Sequence, residues 1–504
     1  MTTDSINALV WKEDLELPHP TGTDKQADKE RLLKTLDRHP VYIPLSVVRE
    51  LPALLRGANY SISVAVGWDG LCYRVISLNP AGLYGVAIDL GSTNIAGRLL
   101  DLQSGRLLQS VQVSNPQLAF GSDILTRMFY AESARDNALH VVLAGAVSGL
   151  IRDLIEARDV SSRDVVAVTI AGNTVMTHFL LDLPTDNIPV SPYVPAIHAP
   201  GFIRCDEFGD SLVLGVNREA LVYVFPGTGS YVGGDLVAGV LASGLYLSHG
   251  PQALIDVGTN AEVAVGCKDW ILVGAGAAGP AFDEGVARAG RRAAPGAIYH
   301  ADIEPSTARV AVKTFDNLPP NGICGSGMVS LVAGLYKAGL IDNRGAFIPG
   351  EAITPEVGGQ YAFVVHDDGT NRIVLTQDDI DTFMLTKAAM FTLFYVLIGS
   401  VGITFDDIGR LYLTGALGTG IDHDAAITLG LIPDFPMDRV EAITNSSVLG
   451  AEALLLNRAL LRDIDTITGL ITYKEMNEDG EFMREFLSAR FIPHTEPHRL
   501  KVHR

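Results

Sequence analysis

One pattern occurs twice and limits what this chain can fold into. Residues 84–102 read YGVAIDLGSTNIAGRLLDL: an apolar strand with Asp89 at its end, a turn at Gly91-Ser92-Thr93-Asn94, and a second apolar strand. Residues 253–266, ALIDVGTNAEVAVG, repeat it with Asp256, a Gly258-Thr259-Asn260 turn and a second strand through Val265. The two aspartates stand 167 positions apart, and a duplicated αβ unit accounts for the echo. Each hairpin can present backbone N–H groups, hydroxyls and one carboxylate at a single point, which are the groups that hold a Mg-bound phosphate chain. Neither is a Walker loop: no Lys follows the glycines, and a strand follows rather than a helix. Taken singly, such a turn is also ordinary hairpin chemistry.

The rest of the chain alternates strand and helix around these hairpins. Helical patterns at 123–134 and 139–158 precede a strand at 164–171, which ends in Gly172-Asn173-Thr174. Pro184, Pro189, Pro192, Pro195 and Pro200 then force an irregular crossing, since each removes a backbone donor. A strand at 220–225 leads through Pro226-Gly227-Thr228-Gly229-Ser230 to Gly233-Gly234-Asp235, which opens a helix of small residues. Thr376-Gln377-Asp378-Asp379 is a capping box that launches a long helix through about Ser400, carrying Lys387 in an apolar setting. A strand at 410–413 runs into Thr414-Gly415-Ala416-Leu417-Gly418, and Asn445-Ser446-Ser447 caps an Ala/Leu helix to about Arg462. The expected plan is a polar arm at 1–38, a small α+β linker domain at 39–83, a first αβ unit at 84–211, and a second at 212–504 with an amphipathic closing segment. A length of 504 residues suits roughly three domains.

Composition removes several function classes. A formal net charge of −20 disfavours nucleic acid and anionic membranes, which need basic patches. The acidic N-terminus lacks a basic segment followed by an apolar one, so no secretory signal is read there. The longest apolar stretch, 390–405, is too short to span a bilayer and contains Gly399 and Gly402, so a buried helix and a soluble cytoplasmic protein are expected. Cys72, Cys205, Cys267 and Cys324 are the only cysteines, at least fifty residues apart, and form no cluster-binding spacing.

Two Asp-Gly-Ser/Thr hairpins, a later Gly turn after a strand, and αβ units between them resemble the ATPase pattern of actin, heat-shock chaperones and sugar kinases. Within it, eight strings recur in order: IDLGSTN (88–94), AGNTVMTHFLL (171–181), GTGSYVGGD (227–235), DVGTNAE (256–262), GPAF (279–282), NGICGSG (321–327), TQDDI…LTKAAM (376–390) and LTGALGTGID (413–422). This set resembles the reductive activators of corrinoid enzymes, the RamA-like family, from about Val41 to the C-terminus. The resemblance implies a duplicated RNase H-like α/β fold whose two hairpins clamp nucleotide phosphates across a cleft, while the third turn holds adenosine. It implies ATP-driven reduction of cobalt(II) to cobalt(I) in a corrinoid protein partner, and a homodimer is the expected assembly. Family members carry an iron–sulfur cluster in an appended domain. No cysteine cluster is present here, so no cluster is expected within this chain; either a separate ferredoxin-like donor would supply the electron, or the protein would do only the conformational part of activation. Leu417 stands where the family more often has Phe.

Under that resemblance Asp89 and Asp256 are the metal-side carboxylates, acting on Mg through water. Gly91, Ser92, Thr93, Asn94, Gly258, Thr259 and Asn260 would meet phosphate oxygens, or else only shape turns. Glu262 either orients the attacking water or is a solvated strand residue. Asp235 is a second acidic ligand, the base of a small-molecule kinase, or a helix cap. Gly415 and Gly418 would let backbone approach base or ribose. Lys387 is a snorkelling core-edge side chain or a nucleotide contact. Cys324 reads as a small buried residue rather than a redox group, and His494, His498 and His503 either bind metal weakly or belong to a disordered tail.

Overall fold

The computed structural model describes residues 6–208, 214–258, 260–276, 289–291, 293–355, 359–418, 420–476 and 479–502. Thr259, the GPAF string at 279–282 and His503 lie outside the described residues. Two compact units emerge: Met1–Ala242 with Ser447–Gly469, and Ser243–Ser446 with Leu470–Arg504.

In the first unit, strands Val10–Glu16, Ser61–Trp68, Tyr73–Leu78 and Val41–Tyr42 lie in that order in one sheet. The expected arm at 1–38 is therefore corrected, because its strand pairs antiparallel with Ser61–Trp68 along seven residues. Its helix Asp28–Leu36 buries Leu32 and Leu36, one turn apart, in the same core as Leu51, Leu55 and Val64. Arg31 on that helix is itself buried, with its guanidinium on Asp24 Oδ2 (2.6 Å) and the carbonyls of Pro18 and Gln26. Charged neighbours hid a two-leucine stripe from a reading of composition. The expected linker helix and hairpin are present, as Leu45–Gly57 and as strands turning where Asp69 Oδ1 accepts from the amides of Leu71 and Cys72.

A six-stranded sheet completes this unit in the order Leu107–Ser114, Asn94–Asp101, Tyr84–Leu90, Val165–Gly172, Leu221–Val224, Gly201–Ile203. The first three form an antiparallel meander, and the next two add in parallel. Helix Ala138–Glu156 lays Leu143, Val147, Leu150 and Leu154 on it. Leu221–Val224 and helix Gly234–Ser243 belong here, so a second unit starting at 212 is also corrected. The chain returns at 447–469, where Thr169 Oγ1 donates to the Ala451 carbonyl (2.8 Å) and Arg98 pairs with Glu452 (2.7 Å). The single helix expected there is two, Ser446–Leu456 and Leu460–Leu470.

The second unit repeats the wiring. Its main sheet runs Val440–Ala442, Leu411–Gly415, Gln252–Val257, Ala261–Cys267, Trp270–Gly276, Ile471–Tyr473. Again a three-strand meander carries parallel strands beside its first member. This is the fold of the actin, sugar-kinase and chaperone ATPases. The long helix Gln377–Ser400 starts at the expected capping box, with Asp379 Oδ2 accepting from the Thr376 amide (2.8 Å). It and Ala138–Glu156 are long and apolar enough to cross a membrane, but their apolar windows are 78% and 50% buried inside the fold.

Lys387 departs from both expectations for it. Its side chain is fully buried, and Nζ donates to the carbonyls of Ala489 (2.5 Å), Phe491 (2.5 Å) and Pro493 (2.6 Å). All three ammonium donors are used, so it neither snorkels nor reaches a nucleotide. Burial pushes its pKa down to about 7, and the three carbonyl dipoles favour the charged form. His494 is likewise buried and not part of a loose tail: Nδ1 accepts from the Glu496 amide (3.0 Å), and Nε2 lies 3.0 Å from Glu485 Oε1. Glu485 Oε2 takes Arg499 Nη1 at 2.6 Å. Lys387 is thus the anchor by which the closing segment holds the long helix.

Replacing Lys387 by Met would strand three carbonyls, one of them buried and two part-buried, and lower stability by about 3 kcal/mol or more, read from the urea midpoint. Burial, and then the charges of Lys387 and Arg499, pull the His494 pKa from 6.5 down to about 4. Between those values the unfolded chain holds a proton that the folded chain refuses, so stability falls as pH drops from 6.5 to about 4. His494→Gln should remove up to about 3 kcal/mol of that acid-side loss, seen as a flatter Tm against pH.

Candidate functional site

In the first unit, Asp89 stands one residue before the end of a central strand, facing Ala96 on one side and Ala171 on the other. Strand ends of parallel-paired sheets are where α/β folds place ligands. Ser447 Oγ donates to Asp89 Oδ1 at 3.0 Å. The neighbouring strand ends in Gly172 and passes to helix Thr174–Leu180, capped by Asn173 Oδ1 on the Met176 amide (2.8 Å). The loop at 227–234 packs directly on this cap. A Cβ at Gly233 would come within 2.2 Å of Asn173 Cα, and Thr174 Oγ1 donates to the Gly229 carbonyl at 2.6 Å. Close packing of that loop positions Asp235, in the first turn of Gly234–Ser243, near Asp89.

Those two carboxylates work against each other. Burial first, and the Asp89 charge next, raise the Asp235 pKa from 3.8 to about 7. Two acidic groups and a hydroxyl are hard oxygen donors that a divalent cation would satisfy, and a cation would relieve their repulsion. Among the described residues no three His, Cys, Asp or Glu side chains gather as a metal cluster. Mg takes one or two carboxylates and draws its other ligands from phosphates and water. The residues present therefore fit a Mg-nucleotide, with Asp89 and Asp235 as the acidic side of the first unit.

Two side chains hold the turn after Asp89 from its carbonyl side. Asn115 Nδ2 donates to the Gly91 carbonyl (3.0 Å), and Arg127 Nη1 donates to the Ser92 carbonyl (2.7 Å). In a trans peptide the C=O and the following N–H point in opposite directions, so the Ser92 and Thr93 amides face away from Asn115 and Arg127. Two successive amides turned to one side are a geometry in which an anion can be received. A Cβ at Gly91 would meet the Asn94 carbonyl at 2.4 Å, which explains the glycine. The sequence reading missed Asn115 and Arg127; both lie outside the recurring strings, and only their contacts disclose them.

In the second unit the register sets Asp256 opposite Glu262 on one face and beside Thr414. Glu262 is 7% exposed, so the solvated alternative for it is excluded, and here two carboxylates share a sheet face. Gly258 N donates to the Asn260 carbonyl (2.9 Å) and closes the hairpin turn. Gly415 has φ +67°, and a Cβ there would fall 2.4 Å from Asp256 Oδ1 and 2.3 Å from the Val257 carbonyl. Within this unit its freedom serves close approach to Asp256. Gly418 similarly abuts the Ile443 carbonyl, where a Cβ would sit at 2.3 Å. Leu417, the departure from the family pattern, is fully buried in the apolar core. Cys324 is buried just before helix Gly325–Lys337, its Sγ 3.2 Å from Ser326 Oγ.

Comparison with known proteins covers nearly the whole chain in three regions. Residues 251–503 match the C-terminal domain of RACo, the ASKHA domain; residues 84–248 match the RACo middle region, and residues 4–82 the RACo linker region. The chain belongs to the RACo family. A solved structure of a reductive activator for corrinoid, iron-sulfur protein is 33% identical, with a TM-score of 0.93 over 99% of this chain and 81% of that one. The corrinoid activation enzyme RamQ of Eubacterium limosum is 29% identical over 436 residues, 82% of this chain and 72% of RamQ. A [Co(II) methylated amine-specific corrinoid protein] reductase of Methanosarcina barkeri is 24% identical over 419 residues, 77% and 73% of the two chains. The RACo linker match, from residue 4, includes the strand and helix of the expected arm.

The glycines give a differential test. Gly415→Ala should cost about 1–3 kcal/mol, from its left-handed backbone and the collision with Asp256. Gly258→Ala, whose nearest neighbour would be 3.8 Å away, should change stability by no more than about 1 kcal/mol. Equal effects in urea titrations would contradict the crowding at Asp256.

Proposed function

We propose that this chain is an ATP-dependent reductive activator of a corrinoid protein, returning cobalt(II) to the methyl-accepting cobalt(I) state. Membership of the RACo family carries the corrinoid part of the reading. The nucleotide part rests on the carboxylate-bearing strand ends. Asp89 and Asp256 would act on Mg through water, with Glu262 orienting the attacking water. The turns Gly91-Ser92-Thr93-Asn94 and Gly258-Thr259-Asn260 would meet phosphate oxygens, and Gly415 and Gly418 the nucleoside. One electron passes from a separate low-potential, ferredoxin-like donor to cobalt, so the donor is oxidised as cobalt(II) becomes cobalt(I). ATP contributes by favouring a state of the complex whose cobalt is easier to reduce, a shift set by differential affinity for two states.

A single observation favours a second reading. Asp235, with its pKa near 7, suits a general base in a small-molecule kinase of the same fold. A phosphorylated metabolite formed without any corrinoid protein would favour that reading. A scaffold without turnover is the third, marked by nucleotide binding without hydrolysis that Asp89→Ala leaves unchanged.

The deciding experiment is capture of a cobalamin-containing protein with ATP present, followed by electron paramagnetic resonance. Cobalt(II) has an unpaired electron and cobalt(I) has none, so the signal should disappear only with chain, ATP and reductant together. Asp89→Ala should slow ATP-dependent signal loss by about 100-fold, the scale of losing a preorganised charge partner. Absence of both nucleotide binding and corrinoid-protein capture would overturn the proposal.

A further inference from the structure

Arg127 has no role in the reading above beyond shaping a turn, yet its setting is unusual. It lies on helix Ile124–Ala134 and is fully buried. Nε donates to the Gly121 carbonyl at 2.9 Å, and Nη1 donates to the Ser92 carbonyl at 2.7 Å. Among the described residues, Nη2 is buried with no hydrogen-bond partner, and no carboxylate forms an ion pair with this guanidinium. Burial lowers its pKa from 12.5 to about 10, with Asp123 opposing, so it remains charged at neutral pH. A buried cation with no counter-ion is costly, and folds keep one where an anion arrives later or where its bonds fix a conformation. Here both conditions meet at one loop. The carbonyl it grips precedes the Thr93 amide, and Asn115 grips the carbonyl before the Ser92 amide.

We propose that Arg127 is a positioning residue for the phosphate chain: from beneath the 91–94 turn it holds the Ser92 carbonyl inward, so that the amides face the anion, and it supplies the buried positive charge that a bound polyphosphate neutralises. The inference deepens the nucleotide reading and rests on it. Arg127 does not touch the reacting atoms; it acts through the turn. The charge also explains why the turn itself needs no lysine.

Three variants and two probes test it. Arg127→Met removes charge and fork, Arg127→Gln keeps a donor without charge, and Arg127→Lys keeps charge without the fork. Mg-ATP and tripolyphosphate are titrated by calorimetry, and Tm is recorded with and without each probe. Arg127→Met should weaken both probes by about tenfold or more. Arg127→Lys should recover part of that loss, and KM for ATP should rise by a larger factor than kcat falls. The ligand-free Tm should stay within a few degrees of the parent, because removing an unpaired buried charge offsets the lost bonds. If Arg127→Met does not fold, Arg127→Gln carries the same expectation. Parent-like affinity for both probes in a folded, uncharged variant overturns the proposal alone. A parent protein that binds neither probe overturns the nucleotide reading together with it.

Discussion

Each unit depends on one pairing: the aspartate-bearing strand runs parallel to a strand that ends in a Gly turn. In the first unit Tyr84–Leu90 lies beside Val165–Gly172, and in the second Gln252–Val257 lies beside Leu411–Gly415. Parallel pairing brings two chain turns to the same end of the sheet, which an antiparallel neighbour cannot do. The same strand is also the first member of an antiparallel meander, so a tight hairpin turn arrives at that end as well. The carboxylate, the hairpin amides and the second turn therefore converge within each unit because of sheet wiring, before any side chain is chosen. Long apolar runs follow from the same cause: a strand central in a covered sheet is buried on both faces, and Val165–Gly172 is buried at every position.

Backbone crowding then makes glycine obligatory at these ends. Gly172 abuts Leu90, Gly233 abuts Asn173, and Gly415 abuts Asp256, each at distances no side chain tolerates. These glycines are among the recurring strings that signalled the family. Their function is mutual contact of protein backbone, which holds the acidic residues in place. In the second unit, the adenosine role expected for Gly415 and Gly418 thus has a structural reason beside it.

Legibility in the sequence followed this division. Hairpins, the capping box at Thr376 and the duplicated fold were readable because they depend on local patterns of period two, turn chemistry and helix starts. The third meander strands, Leu107–Ser114 and Trp270–Gly276, were not; LLQSVQVS, an edge strand, has mixed exposure and no fully buried position to mark a core face. The boundary at 212 failed for a different reason. Leu221–Val224 joins the first sheet through long-range parallel pairing, and 447–469 returns to that unit from more than 200 positions away. Nothing local records such returns. The hairpins that carry Asp89 and Asp256 were legible from motif; the contacts of Asn115 and Arg127 with the 91–94 turn were not, because a bond to a carbonyl leaves no trace in residue spacing.

Two buried cations show how similar environments acquire different meanings. Lys387 and Arg127 are both fully buried, and neither has a carboxylate in hydrogen-bond contact among the described residues. For Lys387 the account closes: three donors meet three carbonyls of the closing segment, and the charge is solvated by backbone dipoles. For Arg127 it stays open, with one guanidinium nitrogen unsatisfied and one bond placed on the turn that follows Asp89. A saturated cation fixes structure, whereas an unsaturated one retains attraction for an anion. That difference separates a clasp from a site. It is why Lys387, the basic residue inside a recurring string, leaves the nucleotide set, and why Arg127, outside every string, is the one proposed for it.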